Sequence, residues 1–139
     1  MTFSNIMIWP MIAHAVLVFG LYYLLSSRRI GAVRAGTAKA EQFKENRDEP
    51  LESLLIHNNL KNQFELPLFF HVVCLALYLT TADNVVTAFL AWAFVLSRYV
   101  HSYVHITSNR LRHRRPIWIT GFFILIALWI WLAVWLALD

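Results

Sequence analysis

The sequence predicts an all-α integral membrane protein, with four spanning helices packed as an antiparallel bundle in one domain, 1–139. Three observations carry that prediction. The chain is 59% hydrophobic and only 14% charged, against about 25% charged in a soluble domain. A soluble core in a chain this short has no room for that much apolar surface. The runs 6–25, 66–82, 84–97 and 116–138 contain no Lys, Arg, Asp or Glu. Every Lys and Arg falls within 28–61 or 98–115, so charge marks the connections. The net charge of +4 and pI near 9.6 therefore reflect topology, and nucleic acid is not an expected partner.

A first helix is expected over about 5–27. Its uncharged run is long enough to cross about 30 Å of hydrocarbon. No positive charge precedes it, and Arg28 and Arg29 follow it. That order reads as an anchor rather than a signal peptide. Pro10 falls in the first turns, where it is tolerated. Trp9, Tyr22 and Tyr23 lie near the two ends, as an interfacial belt requires. His14 is expected to find a hydrogen-bond partner on a neighbouring helix.

Residues 28–50 are the most polar part of the chain. Gly31, Gly36 and Pro50 are expected to break any long helix there, leaving a solvent-exposed connection with one short surface helix. A second long helix is expected over about 51–80. Pro67 lies inside it, which membrane helices tolerate. Cys74, the one cysteine, reads as packing, and no disulfide within the chain is possible. The turn 81–84 leads to a third helix over about 85–108. The basic loop 109–115 then leads to a fourth over about 116–138, with Pro116 opening its first turn. Trp129, Trp131 and Trp135 are expected to face lipid. Both basic connections are expected in the cytoplasm, with both termini on the other side.

Two polar stripes run through this frame. Asn58, Asn62, Glu65 and Phe69 follow one face of the second helix at steps of four and three. Arg98, His101, His105 and Arg112 stand at offsets of 0, 3, 7 and 14, which share one helical face at about 100° per residue. Ionisable groups at membrane depth are costly and usually line a bundle interior or a wet cavity. Glu65 accepts hydrogen bonds only and needs a cation, either Arg98 or a ligand amine. The Arg residues offer forked donors suited to carboxylates. A peptide-like zwitterion with two carboxylates and an amine satisfies both stripes. An Arg beside a ligand thiol also favours the thiolate.

Asn62-x-x-Glu65 followed by Pro67, and Arg98-x-x-His101-x-x-x-His105, resemble the second- and third-helix motifs of the MAPEG family, membrane-associated proteins in eicosanoid and glutathione metabolism. The resemblance covers nearly the whole chain. The wording Phe64-Glu65-Leu66-Pro67 and Arg98-Tyr99-Val100-His101-Ser102 is most similar to the bacterial branch. It implies a homotrimer in a bacterial inner membrane, with glutathione as co-substrate held between subunits near the cytoplasmic face. Carried over, Asn62 and Glu65 hold the glutamyl end, and Arg98 braces Glu65 or a carboxylate. His101 and His105 line the site. Arg112 stands where leukotriene-synthase-like members place the thiolate-stabilising Arg, and is the expected catalytic residue. The implied activity is glutathione-dependent transfer to, or peroxide reduction of, a lipophilic molecule arriving from the bilayer. The chain departs from the pattern in having Asn58 where active members have Arg, and Leu60 where they have Gln or His. His105 replaces a Tyr, and Ile117 and Trp118 stand where one branch has an Arg.

Two other readings stand beside this one. A non-catalytic trimeric scaffold needs Asn62 and Glu65 only as helix–helix contacts, with the Arg cluster touching anionic lipid. A metal site would draw on His101, His105 and Glu65, with His57, His71 or His113 nearby.

Overall fold

Among the described residues of the computed structural model, 5–45 and 47–138, every regular element is a helix. They are α1 (Ile8–Arg34), α2 (Ala40–Lys44), α3 (Leu51–Gln63), α4 (Leu66–Leu79), α5 (Val85–Ile106) and α6 (Leu111–Leu138). Four spans are long and apolar enough to cross a membrane: α1, α3 with α4, α5, and α6. The all-α, four-span expectation therefore holds. The ends of the expected single domain, positions 1–4 and 139, lie outside the described residues, as does Asn46.

Three boundaries differ from the sequence reading, each for a local reason. α1 does not stop near residue 27 but continues through Gly31 to Arg34. The extension is stitched down from the side: Arg29 pairs with Glu49 at 2.8 Å and Arg28 with Glu52 at 3.3 Å. Gly36, at φ +73°, then ends the helix. Its N–H donates to Val33 O, and Thr37 N–H donates to Ala32 O. This is a Schellman cap, in which glycine takes the left-handed position.

The helix expected over 51–80 is two helices. Phe64 caps α3, and Glu65 breaks the path at φ −92°, ψ −98°. Pro67 has no N–H to give Gln63 O, and its ring clashes with that carbonyl in a continuous helix. The chain restarts with Pro67 in the first turn of α4, where no N–H is needed.

The run 109–115 is not a loop. Asn109, at φ +48°, makes the turn, and α6 begins at Leu111. Pro116 is therefore inside the helix rather than at its start. It leaves the carbonyl of Arg112 without its helical donor near the basic end. At the other end, Asn84 caps α5 by accepting from Val86 and Thr87 N–H.

The interior has three layers. Phe70, Val73, Cys74, Leu77, Phe94, Leu125 and Leu128 form an apolar cluster toward the 81–84 turn. Leu21, Leu25, Ile56 and Leu60 form a smaller one toward the basic end. Between them along α1 and α3 lies a buried polar layer: His14, Asn59 and Gln63, joined by Arg98, His101, Ser102 and His105 of α5. Trp129 and Trp131 pack against the first cluster instead of facing lipid only, and Trp131 Nε1 donates to Ala82 O at 3.2 Å.

Candidate functional site

The stripe on α5 is an interior one. Arg98, His101 and His105 are all buried. Arg98 is 1% exposed, with its guanidinium over the Phe94 ring at 5.3 Å. Its hydrogen bonds are long, to Ser97 Oγ at 3.4 Å and Trp118 O at 3.5 Å. No carboxylate of the described residues pairs with it. α6 makes room for it at Gly121, where a Cβ would collide with Arg98 Nη2 and lie 2.7 Å from Ser97 Oγ.

The stripe on α3 points outward. Asn58 and Glu65 are exposed and Asn62 is half-buried. The two stripes meet at one place, where Asn62 Nδ2 lies 3.5 Å from His105 Nδ1. The expected Arg98–Glu65 brace is not made within one chain: Glu65 sits at the helix break facing out, and Arg98 sits inside against α6. Arg112 does not continue the α5 face either. The helix ends at Ile106, and Arg112 lies exposed in the first turn of α6.

The inward face of α3 carries residues that the sequence reading passed over. Gln63 donates to Asn59 Oδ1 and to Ser102 Oγ, and Ser102 donates to Asn59 Oδ1. His14 joins through Gln63 Oε1 at 3.1 Å. Asn59 Nδ2 and His101 Nδ1 are buried without partners among the described residues. Asn59 and Gln63 sit one residue after Asn58 and Asn62, so the sequence held both faces of α3, about 100° apart.

Glu49 falls in the connection expected to be solvent-exposed, yet its side chain is 0% exposed. It receives Arg29 through both oxygens, at 2.8 and 3.1 Å, with His57 Nδ1 at 3.4 Å. Burial pushes this carboxyl up. Hydrogen bonds from Arg29 and Ser53, and the charges of Arg29 and His57, outweigh it and hold the group below its ordinary value. His57 is thereby committed to this cluster. The metal-ligand candidates do not converge: among the described residues, no three His, Cys, Asp or Glu side chains form a metal-binding group.

Four apolar spans around a buried polar layer define an integral membrane helical protein. The MAPEG family model matches residues 7–134, and the chain belongs to that family. Neither the comparison with curated proteins nor that with solved structures gives a match. Membership supports a membrane-associated, glutathione-related role in general.

Proposed function

We propose that the protein is a glutathione-dependent membrane transferase or peroxidase, acting as a homotrimer on lipophilic electrophiles or hydroperoxides. The observation that carries the reading is Arg98, a buried guanidinium with no counter-charge among the described residues. A buried cation is tolerated when an anion neutralises it, and a carboxylate or thiolate held beside it would do so. Asn58, Asn62 and Glu65 give that ligand its outer wall. Glu65 takes the glutamyl amine, Asn62 bonds its carboxylate, and His105 and His101 stand behind them. This polar face is left open by its own subunit, so a second copy closes over it. An apolar groove lined by Leu66, Phe69, Phe122, Leu125, Ile126 and Trp129 starts one residue past Glu65, so the polar face borders directly on apolar surface. By the positive-inside rule the basic ends face the cytoplasm of a bacterial inner membrane.

Arg112 is placed in this reading as the residue that stabilises the thiolate. A nearby cation lowers a thiol pKa by about 1–3 units and so raises the fraction present as the reactive thiolate. Arg112→Ala should therefore cut turnover of glutathione with 1-chloro-2,4-dinitrobenzene about tenfold, while changing glutathione affinity less. Equal turnover would remove Arg112 from the site. The neutral side chain at Asn58 favours a second reading, a trimeric scaffold with the family fold and no activity. That reading requires that glutathione not bind.

A further inference from the structure

A second titratable cluster lies deeper in the bundle, outside the proposed glutathione site. His14 Nδ1 is 3.0 Å from His71 Nε2, and His14 Nε2 is 3.1 Å from Gln63 Oε1. Gln63 is held in that orientation because its Nε2 donates to Asn59 Oδ1 and to Ser102 Oγ, each at 3.1 Å. An amide oxygen only accepts, so His14 Nε2 carries a proton. His14 Nδ1 must then accept, and His71 Nε2 must donate. The nitrogen left over is His71 Nδ1, a basic lone pair with no partner among the described residues.

The two rings differ in surroundings. His14 is 2% exposed. His71 is half-buried and stands among Leu68, Val72 and Leu75, which are exposed. It lies six residues past Glu65, about 9 Å farther along the helix, inside the uncharged run. The hydrogen bonds thus begin at a basic nitrogen on an apolar face of α4 and run inward. Two imidazoles linked in this way can hold one extra proton between them. Polar groups at this depth are expensive, and a helix–helix contact needs only one neutral donor and acceptor.

We propose that His71, backed by His14, is an intramembrane general acid that protonates the leaving oxygen of a lipid-borne hydroperoxide. The proposal rests on the glutathione reading above. In the step it serves, the glutathione sulfur attacks the outer peroxide oxygen. An S–O bond forms, the O–O bond breaks, sulfur is oxidised by two electrons and the peroxide is reduced to an alcohol. An alkoxide is strongly basic and leaves poorly unless a proton arrives with it. The proton that the thiol gives up is the one the imidazole pair passes to the alkoxide. The sulfenic acid then condenses with a second glutathione thiol, giving disulfide and water.

The test compares two reactions of the purified protein in lipid nanodiscs. Reduction of cumene hydroperoxide by glutathione needs that proton. Conjugation of 1-chloro-2,4-dinitrobenzene expels chloride and does not. His71→Asn should slow peroxide reduction about a hundredfold, within the range of general acid catalysis. It should leave conjugation, and glutathione affinity by calorimetry, within about twofold of wild type. His14→Asn should act in the same direction but less. Equal loss in both reactions, or none in either, overturns the relay and leaves the glutathione reading standing. Wild-type conjugation without peroxide reduction also overturns it. Wild-type protein that neither binds glutathione nor turns over either probe overturns both.

Discussion

Arg98→Met is expected to weaken glutathione binding about thirtyfold while leaving the protein as stable as wild type, or more so. Arg98 is 1% exposed and unpaired by any carboxylate among the described residues. Its partners are an aromatic face, a hydroxyl and a carbonyl, the last two at 3.4 and 3.5 Å. These recover only part of the hydration that the guanidinium gives up, so the charge is a net cost to the fold. Met has similar length, no charge and the flexibility to fill the space beside Gly121. The same charge is favourable to a bound anion. At an effective dielectric of 20, a separation of about 8 Å is worth about 2 kcal/mol, or roughly thirtyfold in affinity. Calorimetry and thermal unfolding of the two proteins separate these effects. A variant that unfolds more easily and binds as before would make Arg98 a structural residue only.

Glu49→Ala is expected to cost about 3 kcal/mol of stability, since breaking a buried pair strands its partner. Arg29 keeps 24% side-chain exposure, which places the loss at the lower end of that range. The substitution leaves Arg29 2.6 Å from His57 Nδ1 with no carboxylate between the two basic groups. It also removes one of the two anchors that extend α1 to Arg34. The pH dependence has a definite sign. Glu49 titrates below its ordinary value of 4.5 in the folded protein. Its contribution is therefore present above that value and is lost as pH falls through the folded one. Wild-type protein should lose stability in that acid window, and Glu49→Ala should lose less there. Parallel acid-unfolding curves for the two would contradict this assignment.

Much of the fold was legible because membrane spans are set by long uncharged runs, and those runs are continuous in the sequence. The misplaced boundaries fall where one side chain decides the outcome through something distant. Pro67 breaks the second span because the first turn of α4 can absorb it. α1 outlasts Gly31 because Glu49 and Glu52 reach Arg29 and Arg28 from the far side of a connection. The candidate site was legible by residue type and less so by direction. Asn58 and Asn62 lie on one face of α3, Asn59 and Gln63 on the next, and only packing against Ser102 and His14 decides which turns inward. Periodicity placed Arg98, His101 and His105 together, as they are. It carried Arg112 onto the same face although the third helix was expected to end at about 108, and the turn at Asn109 takes Arg112 off that face.

The measurement that tests the central claim most directly is glutathione binding to the detergent-purified protein by calorimetry, with Glu65→Gln alongside and the oligomeric state of both recorded. The account predicts binding in the wild type and a loss of about tenfold in Glu65→Gln, the worth of one charge-assisted hydrogen bond, with the trimer intact in both. No binding by the wild type at millimolar glutathione, or dissolution of the trimer by Glu65→Gln, would contradict it and leave the outward stripe as a contact between copies.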